Sequence, residues 1–447
     1  GGQQGDAVGL SLAVPVHEPQ VFRLAYDAGR QALEAEFDIG LSPDAKKSPC
    51  RTTFRLLVYA HEPEWGFRSA ISRYYQLFPA YEQRRAGAGG IWLIGLNPSL
   101  MACPWDWGFR FEEHGLDHAG YNDAHDIATF VYTECWGIYE GFGNKPPPDG
   151  KDRYGRNVYM LKPEEMRQFI TDKLQAPPEQ KFWGLPRREV AQAEVNSAIE
   201  DRNGQWIWSH YTQTWSPGNF LSCLCLNPDP DLPKPSRNSV TWEGEILPAY
   251  GRAKASGGDL GGVYLDSVCG YVGFFDENFR REQWQYADTP LVPSYKTKTP
   301  VQLHAFSCFE ISQQIADRMR AEGRLVIGNT GPPEMTYWIP LLDMIGGGEA
   351  SACGISDDAH YRYLRFCGYH KPISWMQYGF VDPKRSWEEK ERGMHRCLFY
   401  AVHPGTASFD DPAKYEPSRP LYRSFEPLIA WLDEAGWQPV TRAQTDQ

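Results

Sequence analysis

The feature that most constrains the fold of this chain is an alternation of short apolar runs and helix-like segments that begins near residue 90. Eight runs have the apolar character of buried strands: GIWLIGL (90–96), DIATFVY (126–132), QWIWSHY (205–211), GGVYLDS (261–267), RLVIGNT (324–330), LLDMIGGGE (341–349), PISWMQYG (372–379) and LFYAVHP (398–404). Segments such as KPEEMRQFITDKL and FSCFEISQQIADRMRAEG, with Pro or acidic starts and a Gly stop, predict helices between them. This order predicts an α/β fold, a (β/α)8 barrel with long loops.

An open, doubly wound parallel sheet is the alternative fold for the same alternation of strands and helices. That fold usually carries a Gly-rich phosphate-binding loop directly after its first strand. Here the first strand is followed by NPSLMACPWDWGFRF (97–111), which is aromatic and not Gly-rich. The barrel is therefore favoured.

The N-terminal part of the chain has a different pattern, so we divide the chain at residue 89. VGLSLAVPV, FRLAYD, ALEAEFDIGLS and TFRLLVYA predict strands, and WGFRSAISRYYQLFPAYEQRR predicts a helix. We expect residues 1–89 to be the C-terminal part of a β-sandwich domain with a linking helix, and residues 90–447 to be the catalytic barrel. Four strands are too few for a sandwich, so we also expect an upstream β-sandwich segment of the same protein.

Composition and charge exclude several classes of function. The net charge is −12 and Lys and Arg form no cluster, which argues against a nucleic-acid partner. No apolar stretch is long enough to predict a membrane span, and no signal peptide is evident. The chain lacks an initiator Met, as a processed secreted protein or a fragment of a longer chain would, and we expect a secreted or periplasmic protein. Its ten cysteines form no zinc-binding pattern, and we expect neither a metal nor a cofactor.

Polar residues that follow the predicted strands indicate the chemistry, because (β/α)8 barrels hold their active sites at the C-terminal ends of their strands. These residues are mostly carboxylates, amides and indoles. The chain has no GxSxG, HExxH, P-loop or Rossmann motif. Two carboxylates facing each other among Trp side chains are what glycoside hydrolysis requires, one to attack or activate water and one to protonate the leaving oxygen.

Asp266 is the leading candidate for the reactive carboxylate. It stops the apolar run of GGVYLDSVCGY, and the residues after it do not resemble the first turn of a helix. Strand alternation places Tyr264 and Asp266 on one face and Val263 and Leu265 on the other. Three acids are candidates for its partner: Glu349 after a glycine run, Asp343 in the same strand, and Glu334 after a Pro pair.

Further residues near the predicted strand ends are candidates to bind substrate, since indole rings stack on sugars and polar side chains bind hydroxyl groups. We expect this set to be Trp105, Asp106, Trp107, Glu134, Trp136, His210, Gln213, Asn329 and Trp375. The competing interpretation places the Trp residues in the core and makes His210 structural.

With Asp266 on the fourth strand, the chain resembles the superfamily of (β/α)8 glycosidases that includes α-galactosidases, α-glucosidases and endo-α-N-acetylgalactosaminidases. In that superfamily a β-sandwich precedes the barrel, and the nucleophile is an Asp at the end of the fourth strand, which GGVYLDS matches at Asp266. The acid/base carboxylate follows the fifth or sixth strand, which implies Glu334 on the first alternative and Glu349 or Asp343 on the second. The resemblance implies a retaining hydrolase that needs no cofactor.

The predicted function is therefore hydrolysis of glycosidic bonds in a polysaccharide or glycoconjugate, with a carbohydrate as the partner. Alternatives are an inverting glycosidase or transglycosylase of the same fold, a non-catalytic carbohydrate-binding barrel, and a lyase or metal-dependent hydrolase. The separation of the two carboxyl groups distinguishes retention, at about 5–5.5 Å, from inversion, at about 6.5–9.5 Å.

Overall fold

The computed structural model of the protein describes residues 7–81, 83–143, 150–151, 157–158, 162–212, 216, 218–268, 276–329, 333–350, 358–377, 380, 382–406 and 412–441. It gives the backbone alone for residues 150–151, 157–158, 210–212, 333–335, 347–350, 376–377 and 412.

The N-terminal part contains four strands and a helix: β1 (Gly9–Ala13), β2 (Phe22–Asp27), β3 (Ala32–Phe37), β4 (Leu57–His61) and α1 (Phe67–Leu77). β1 pairs with β4 and β2 pairs with β3, both antiparallel. The ring of Tyr75 on α1 stacks on Tyr369 with 4.0 Å between centroids, which attaches the helix to the rest of the molecule. The four predicted strands and the predicted helix are confirmed, and the upstream β-sandwich segment stays a prediction.

Three parallel strands and a short helix follow: β5 (Ile91–Ile94), β6 (Phe109–Glu113), α2 (Ala119–Asp123) and β7 (Ala128–Thr133). A long insertion then separates β7 from the next strand of the same sheet. Its elements are β8 (Gly137–Gly141), β9 (Gly150–Lys151), β10 (Asn157–Val158), α3 (Pro163–Asp172), β11 (Lys181–Phe182), β12 (Leu185–Pro186), α4 (Arg187–Ser197), β13 (Trp208–Thr212), β14 (Leu221–Cys225), α5 (Arg237–Val240), a π-helical turn (Thr241–Ile246) and α6 (Leu247–Ala255).

The second half of the chain returns to the parallel sheet. Its elements are β15 (Gly262–Leu265), β16 (Glu277–Asn278), β17 (Val292–Pro293), β18 (Pro300–Leu303), α7 (His304–Ala321), β19 (Leu325–Asn329), a 3₁₀ segment (Pro333–Leu341), β20 (Met344–Ala350), α8 (Ala359–Gly368), β21 (Ile373–Gln377), α9 (Trp387–Tyr400), β22 (His403–Gly405) and α10 (Arg419–Ala435). Within the described residues, no helix combines the length and apolar character needed to cross a membrane.

Eight strands form one parallel sheet in the order β5-β6-β7-β15-β19-β20-β21-β22. The sheet nearly closes on itself, because the first strand is also bonded to the last two. Trp92 N–H donates to Ser374 Oγ at 2.9 Å, and Thr406 N–H donates to the Trp92 carbonyl at 3.1 Å. The predicted (β/α)8 barrel is therefore confirmed.

Three strand predictions were wrong in detail, although the number of barrel strands and the place of Asp266 on the fourth are correct. Most of LFYAVHP (398–404) forms the end of α9 and the turn after it, and β22 begins only at His403. QWIWSHY forms β13, which pairs antiparallel with β14 in a separate three-stranded sheet of the insertion. The missing barrel strand is β6, with the sequence FRFEE. β6 was not predicted because its apolar face is short and an aromatic segment precedes it. QWIWSHY was assigned to the barrel because periodicity does not reveal which sheet a strand joins.

Alternation along the strands separates an inner core from two outer ones. Side chains inside the barrel form one apolar cluster: Ala86, Trp92, Ile94, Phe111, Phe130, Tyr264, Ile327 and Met344. The intervening residues point outward and pack under the helices, as Val131, Val263 and Val326 do on one side and Ile91 and Ile373 on the other. The barrel interior is thus filled with side chains below its carboxyl-terminal edge.

A buried charge cluster fastens the last helix to the last strand. His403 on β22 lies 2.7 Å from Glu426 Oε1 and 3.5 Å from Asp433 Oδ2, both on α10. Arg84, from the segment before β5, donates to Asp433 Oδ2 at 2.6 Å. Burial opposes charge on the His403 imidazole, but Glu426 and Asp433 outweigh it and raise its pKa to about 9. His403 is therefore a structural cation.

We expect this cluster to make stability depend on pH in the alkaline range. Because the folded-state pKa of His403 lies above its ordinary value, its contribution is complete below pH 6.5 and is lost as pH rises through about 9. His403→Gln should lower the free energy of unfolding by up to about 3 kcal/mol below pH 6.5, with the deficit shrinking towards pH 10. Denaturant unfolding across this range measures the effect, with the exposed His125→Gln as control. A deficit that grew with pH would contradict this role.

Candidate active site

The register between β7 and β15 places the two acids that follow these strands, Glu134 and Asp266, at the same level. The two strands carry Val131-Tyr132-Thr133-Glu134 and Val263-Tyr264-Leu265-Asp266, and Tyr264 lies beside Tyr132. Beyond the strand, Asp266 N–H still donates to the Thr133 carbonyl at 3.0 Å, so the ladder continues to the level of the two acids. Tyr132 and Tyr264 face each other with 5.5 Å between ring centroids. Alternation then turns Glu134 and Asp266 to the same side as the tyrosines.

Four neutral groups donate to the half-buried Asp266 carboxylate. Tyr264 Oη and Asn329 Nδ2 donate to Oδ1 at 3.0 and 3.1 Å, while Tyr132 Oη and Ser267 Oγ donate to Oδ2 at 2.8 and 3.2 Å. Ser267 has φ 46°, a left-handed conformation that turns the chain sharply after the strand. The dipoles of these four donor groups thus hold the Asp266 carboxylate at the barrel mouth, the carboxyl-terminal edge of the barrel.

The glycine pair before this strand has a steric function. A Cβ at Gly262 would lie 1.8 Å from the Leu325 carbonyl oxygen, and one at Gly261 would lie 3.0 Å from Ala128 Cβ. These contacts require glycine where the fourth strand enters the sheet between its two neighbours. The motif GGVYLDS therefore combines close strand packing at its start with a carboxylate at its end.

Glu134 is the carboxyl group next to Asp266, within hydrogen-bonding reach. Burial and the Asp266 carboxylate together raise the pKa of Glu134 well above its usual range. Asp266 and Glu134 thus form a carboxyl pair in which ionisation of Glu134 is disfavoured. Such a pair can hold a negative charge and a transferable proton in one place.

An ion pair behind β7 supports this arrangement from outside the barrel. Thr133 points away from Glu134 and donates its hydroxyl to Glu245, which lies in the π-helical turn. Arg237 on α5 donates to Glu245 Oε1 at 2.7 Å and to the Glu134 carbonyl at 2.8 Å. The insertion therefore holds the backbone from which the Glu134 side chain projects.

The predicted partner carboxylates fall in different places. Asp343 precedes β20, accepts from Val326 N–H at 2.8 Å and lies 3.5 Å from Arg85, which puts it at the amino-terminal end of the barrel, opposite Asp266. Glu349 lies near the carboxyl end of β20, and Glu334 lies in the 3₁₀ segment after β19. Only the backbones of these two residues are described, and both belong to segments at the edge that carries Asp266.

The predicted substrate-binding residues also separate into groups. Asn329 and Glu134 contact Asp266. Trp107, Trp136 and Trp375 are at most 1% exposed and belong to the hydrophobic core, so the structure offers none of their faces to a ligand. Trp105 is 75% exposed on the loop after β5, and Asp106 beside it lies 3.1 Å from Arg419. His210 lies on β13, outside the barrel sheet, with its side chain not described, and Gln213 lies outside the described residues.

Sequence reasoning missed the tyrosine pair as part of the site. Tyr132 and Tyr264 each stand two residues before an acid in a V-Y-x-acid run, and this repeat on neighbouring strands was available as a signal. It also missed Glu113 at the end of β6, which accepts from Trp92 Nε1 at 3.1 Å inside the barrel, because β6 was not predicted as a strand. In the described part of the chain, no group of three or more His, Cys, Asp or Glu side chains could hold a metal ion.

The fold and site define a (β/α)8-barrel protein with a carboxyl pair at the edge where such barrels hold their active sites. The chain is structurally similar to the ligand-free α-N-acetylgalactosaminidase NagBb from Bifidobacterium bifidum, with TM-score 0.42, 12% identity, 96% of this chain covered and 67% of that one. It is also similar to the GalNAc complex of NagBb, with TM-score 0.38, 12% identity and coverages of 85% and 59%.

A third similar structure is the GH36 α-galactosidase AgaB from Geobacillus stearothermophilus, with TM-score 0.38, 9% identity and coverages of 95% and 58%. The chain thus spans between 58% and 67% of the lengths of these proteins. Similarity of this degree defines neither reaction nor substrate, and the barrel assignment stands on the strand order itself. No protein-family model and no curated protein matches the chain.

We expect the buried pair behind the site to contribute strongly to stability. Arg237 and Glu245 side chains are 1% and 11% exposed, whereas Lys234 and Glu243 are 72% and 36% exposed. Arg237→Met should lower the free energy of unfolding by about 3–5 kcal/mol, because it leaves Glu245 buried without its cation. The control Lys234→Met should cost less than about 1 kcal/mol. Denaturant unfolding measures both, and equal costs would show that Arg237 does not have this supporting role.

Proposed function

We propose that the protein is a glycoside hydrolase that cleaves glycosidic bonds of a polysaccharide or glycoconjugate, with Asp266 as the nucleophile of a retaining mechanism. The observation that carries the proposal is the position of Asp266. It is a half-buried carboxylate at the carboxyl end of the fourth barrel strand, held by four neutral donors. The superfamily of α-galactosidases, α-glucosidases and endo-α-N-acetylgalactosaminidases, which the sequence resembles, has its nucleophile at this position.

In the proposed first step, an Asp266 oxygen attacks the anomeric carbon and forms an ester bond to it. The bond from that carbon to the leaving oxygen breaks as the oxygen receives a proton from the acid/base residue. In the second step a water oxygen attacks the same carbon, the Asp266 carboxylate departs, and the acid/base residue takes the proton of the water. Two inversions give net retention, and no cofactor is consumed.

Glu334 and Glu349 are the proposed alternatives for the acid/base residue. Glu349 lies near the carboxyl end of β20 and Glu334 lies in the 3₁₀ segment after β19, whereas Asp343 lies at the other end of the barrel. The acid/base residue needs a raised pKa to hold its proton at neutral pH, which an apolar surrounding provides.

The central test is turnover of a panel of aryl glycosides and glycans by wild type and Asp266→Asn. We expect wild type to hydrolyse at least one member, and Asp266→Asn to reduce kcat/KM for it by at least about a thousandfold, as loss of a covalent nucleophile does. The matched control is Asp259→Asn, since Asp259 precedes the same strand, is 68% exposed and pairs with Arg324. It should keep wild-type turnover.

Two outcomes would contradict the proposal. A wild-type protein that cleaves no member of the panel would exclude the hydrolase, and wild-type turnover by Asp266→Asn would exclude this nucleophile. The anomer first released, followed by proton NMR, tests the stereochemistry, and an inverted product would exclude retention.

A second prediction separates the two acid/base alternatives. Glu334→Gln and Glu349→Gln should differ in how turnover depends on the leaving group. The variant that lacks the acid/base residue should lose about 100-fold or more on glycosides with poor leaving groups, because those depend on proton transfer. It should keep the first step on dinitrophenyl glycosides, with azide restoring the second step. If neither variant shows this pattern, both assignments are incorrect.

A further inference from the structure

We propose that Glu134 is a positioning residue for Asp266: it stays protonated in the resting site and donates its carboxyl O–H to the Asp266 carboxylate, so that the pair carries one negative charge. The inference rests on the proposed function, because a positioning residue acts through the reaction of Asp266. It goes beyond that function by giving the site a defined protonation state and a second residue on which turnover depends.

Strand geometry forces the two carboxyl groups together. Neighbouring strands of a sheet lie about 4.8 Å apart, and residues at the same level of a parallel pair point to the same side. Glu134 and Asp266 occupy the next level after the Thr133–Leu265 pair. Two ionised carboxylates at such a separation repel each other strongly, so one of them keeps its proton.

The hydrogen bonds decide which of the two keeps the proton. The Asp266 carboxylate accepts from four donors, Tyr132, Tyr264, Ser267 and Asn329, and Tyr132 also hydrogen-bonds Glu134. Glu134 lies beside that charge, and burial disfavours its own ionisation. The proton therefore belongs to Glu134, and the O–H that it creates has Asp266 as its acceptor.

The groups around the pair do not reverse this assignment. Among the described residues, the ionisable side chains close to the pair are Glu113, His114, Tyr132, Cys223 and Tyr264, and Glu245 and Arg237 lie behind β7. The Arg237 guanidinium is paired with Glu245 and reaches the Glu134 backbone carbonyl. Among the described side chains, no Lys or Arg donates to either carboxyl group of the pair.

Turnover should therefore fall on the alkaline side. Since the pKa of Glu134 is raised, its protonated form is lost only as pH rises through that raised value. Ionisation of Glu134 then removes a donor from Asp266 and puts a second negative charge beside it. The expected result is a falling alkaline limb in kcat/KM that belongs to Glu134.

Two substitutions at this position separate hydrogen bonding from titration. Glu134→Gln keeps an N–H donor towards Asp266 but cannot ionise, so it should retain activity within about tenfold of wild type. It should lose the part of the alkaline limb that belongs to Glu134 and keep the part that belongs to the acid/base residue. Glu134→Leu removes the donor and should reduce kcat more than KM increases. A loss of about 100-fold or more in Glu134→Gln, like that of a general acid, would overturn the positioning role. So would an alkaline limb that remains unchanged in Glu134→Gln.

The protonation state can be measured without substrate, which separates this inference from the proposed function. In protein labelled with ¹³C at the Glu side-chain carboxyl carbon, one resonance should show the protonated chemical shift at pH 7 and titrate above it. That resonance should disappear in Glu134→Gln and remain in the control Glu243→Gln, whose residue pairs with Lys234 on the surface. A Glu134 resonance already ionised at pH 6 would overturn the inference even if glycosides are hydrolysed. If the Glu134 resonance is protonated but the protein hydrolyses no glycoside, the inference about the carboxyl pair is supported and the proposed function is contradicted.

Discussion

The candidate site depends on one structural constraint, the register between the third and fourth barrel strands. With Tyr132 opposite Tyr264, the acids that follow must lie side by side at the barrel mouth. A shift by one residue would turn Glu134 or Asp266 towards the helices. Their neighbours Thr133 and Leu265 would then enter the barrel. The apolar outer faces at Val131 and Val263, packed under the helices, keep the register fixed.

The insertion after β7 also contributes to this constraint. It leaves the barrel directly after Glu134, where a loop could otherwise move freely, and it returns with Arg237 and Glu245 against the back of the same strand. Glu245 lies in a π-helical turn, a local widening of the helix that often marks functional sites. The charge of Glu245 is thus paired outside the barrel, and among the described side chains no Lys or Arg donates to Asp266.

The sequence predicted the features that depend on local pattern. Eight apolar runs and the intervening helices indicated the barrel, and the pleat of GGVYLDS placed Tyr264 and Asp266 on one face. Periodicity could not predict which strands pair with each other or which side chains pack into the core. QWIWSHY has the pattern of a buried strand but belongs to the antiparallel sheet of the insertion. Trp107, Trp136 and Trp375 fill the core. An indole beside a strand end has the same sequence signal in the core and in a cleft.

The two ends of the barrel show how environment determines the role of a strand-end acid. Asp343, at the amino-terminal end, accepts a backbone N–H, lies near Arg85, and has the buried Lys371 close by, whose ammonium donates to the carbonyls of Ile339 and Leu342. Burial raises the pKa of Asp343, the nearby cations oppose that rise, and the side chain joins structural elements through its backbone hydrogen bond. Asp266 is held by neutral donors and by a neighbouring acid whose proton can leave. Among the described side chains, neutral dipoles balance its negative charge, and that balance can change when a substrate enters.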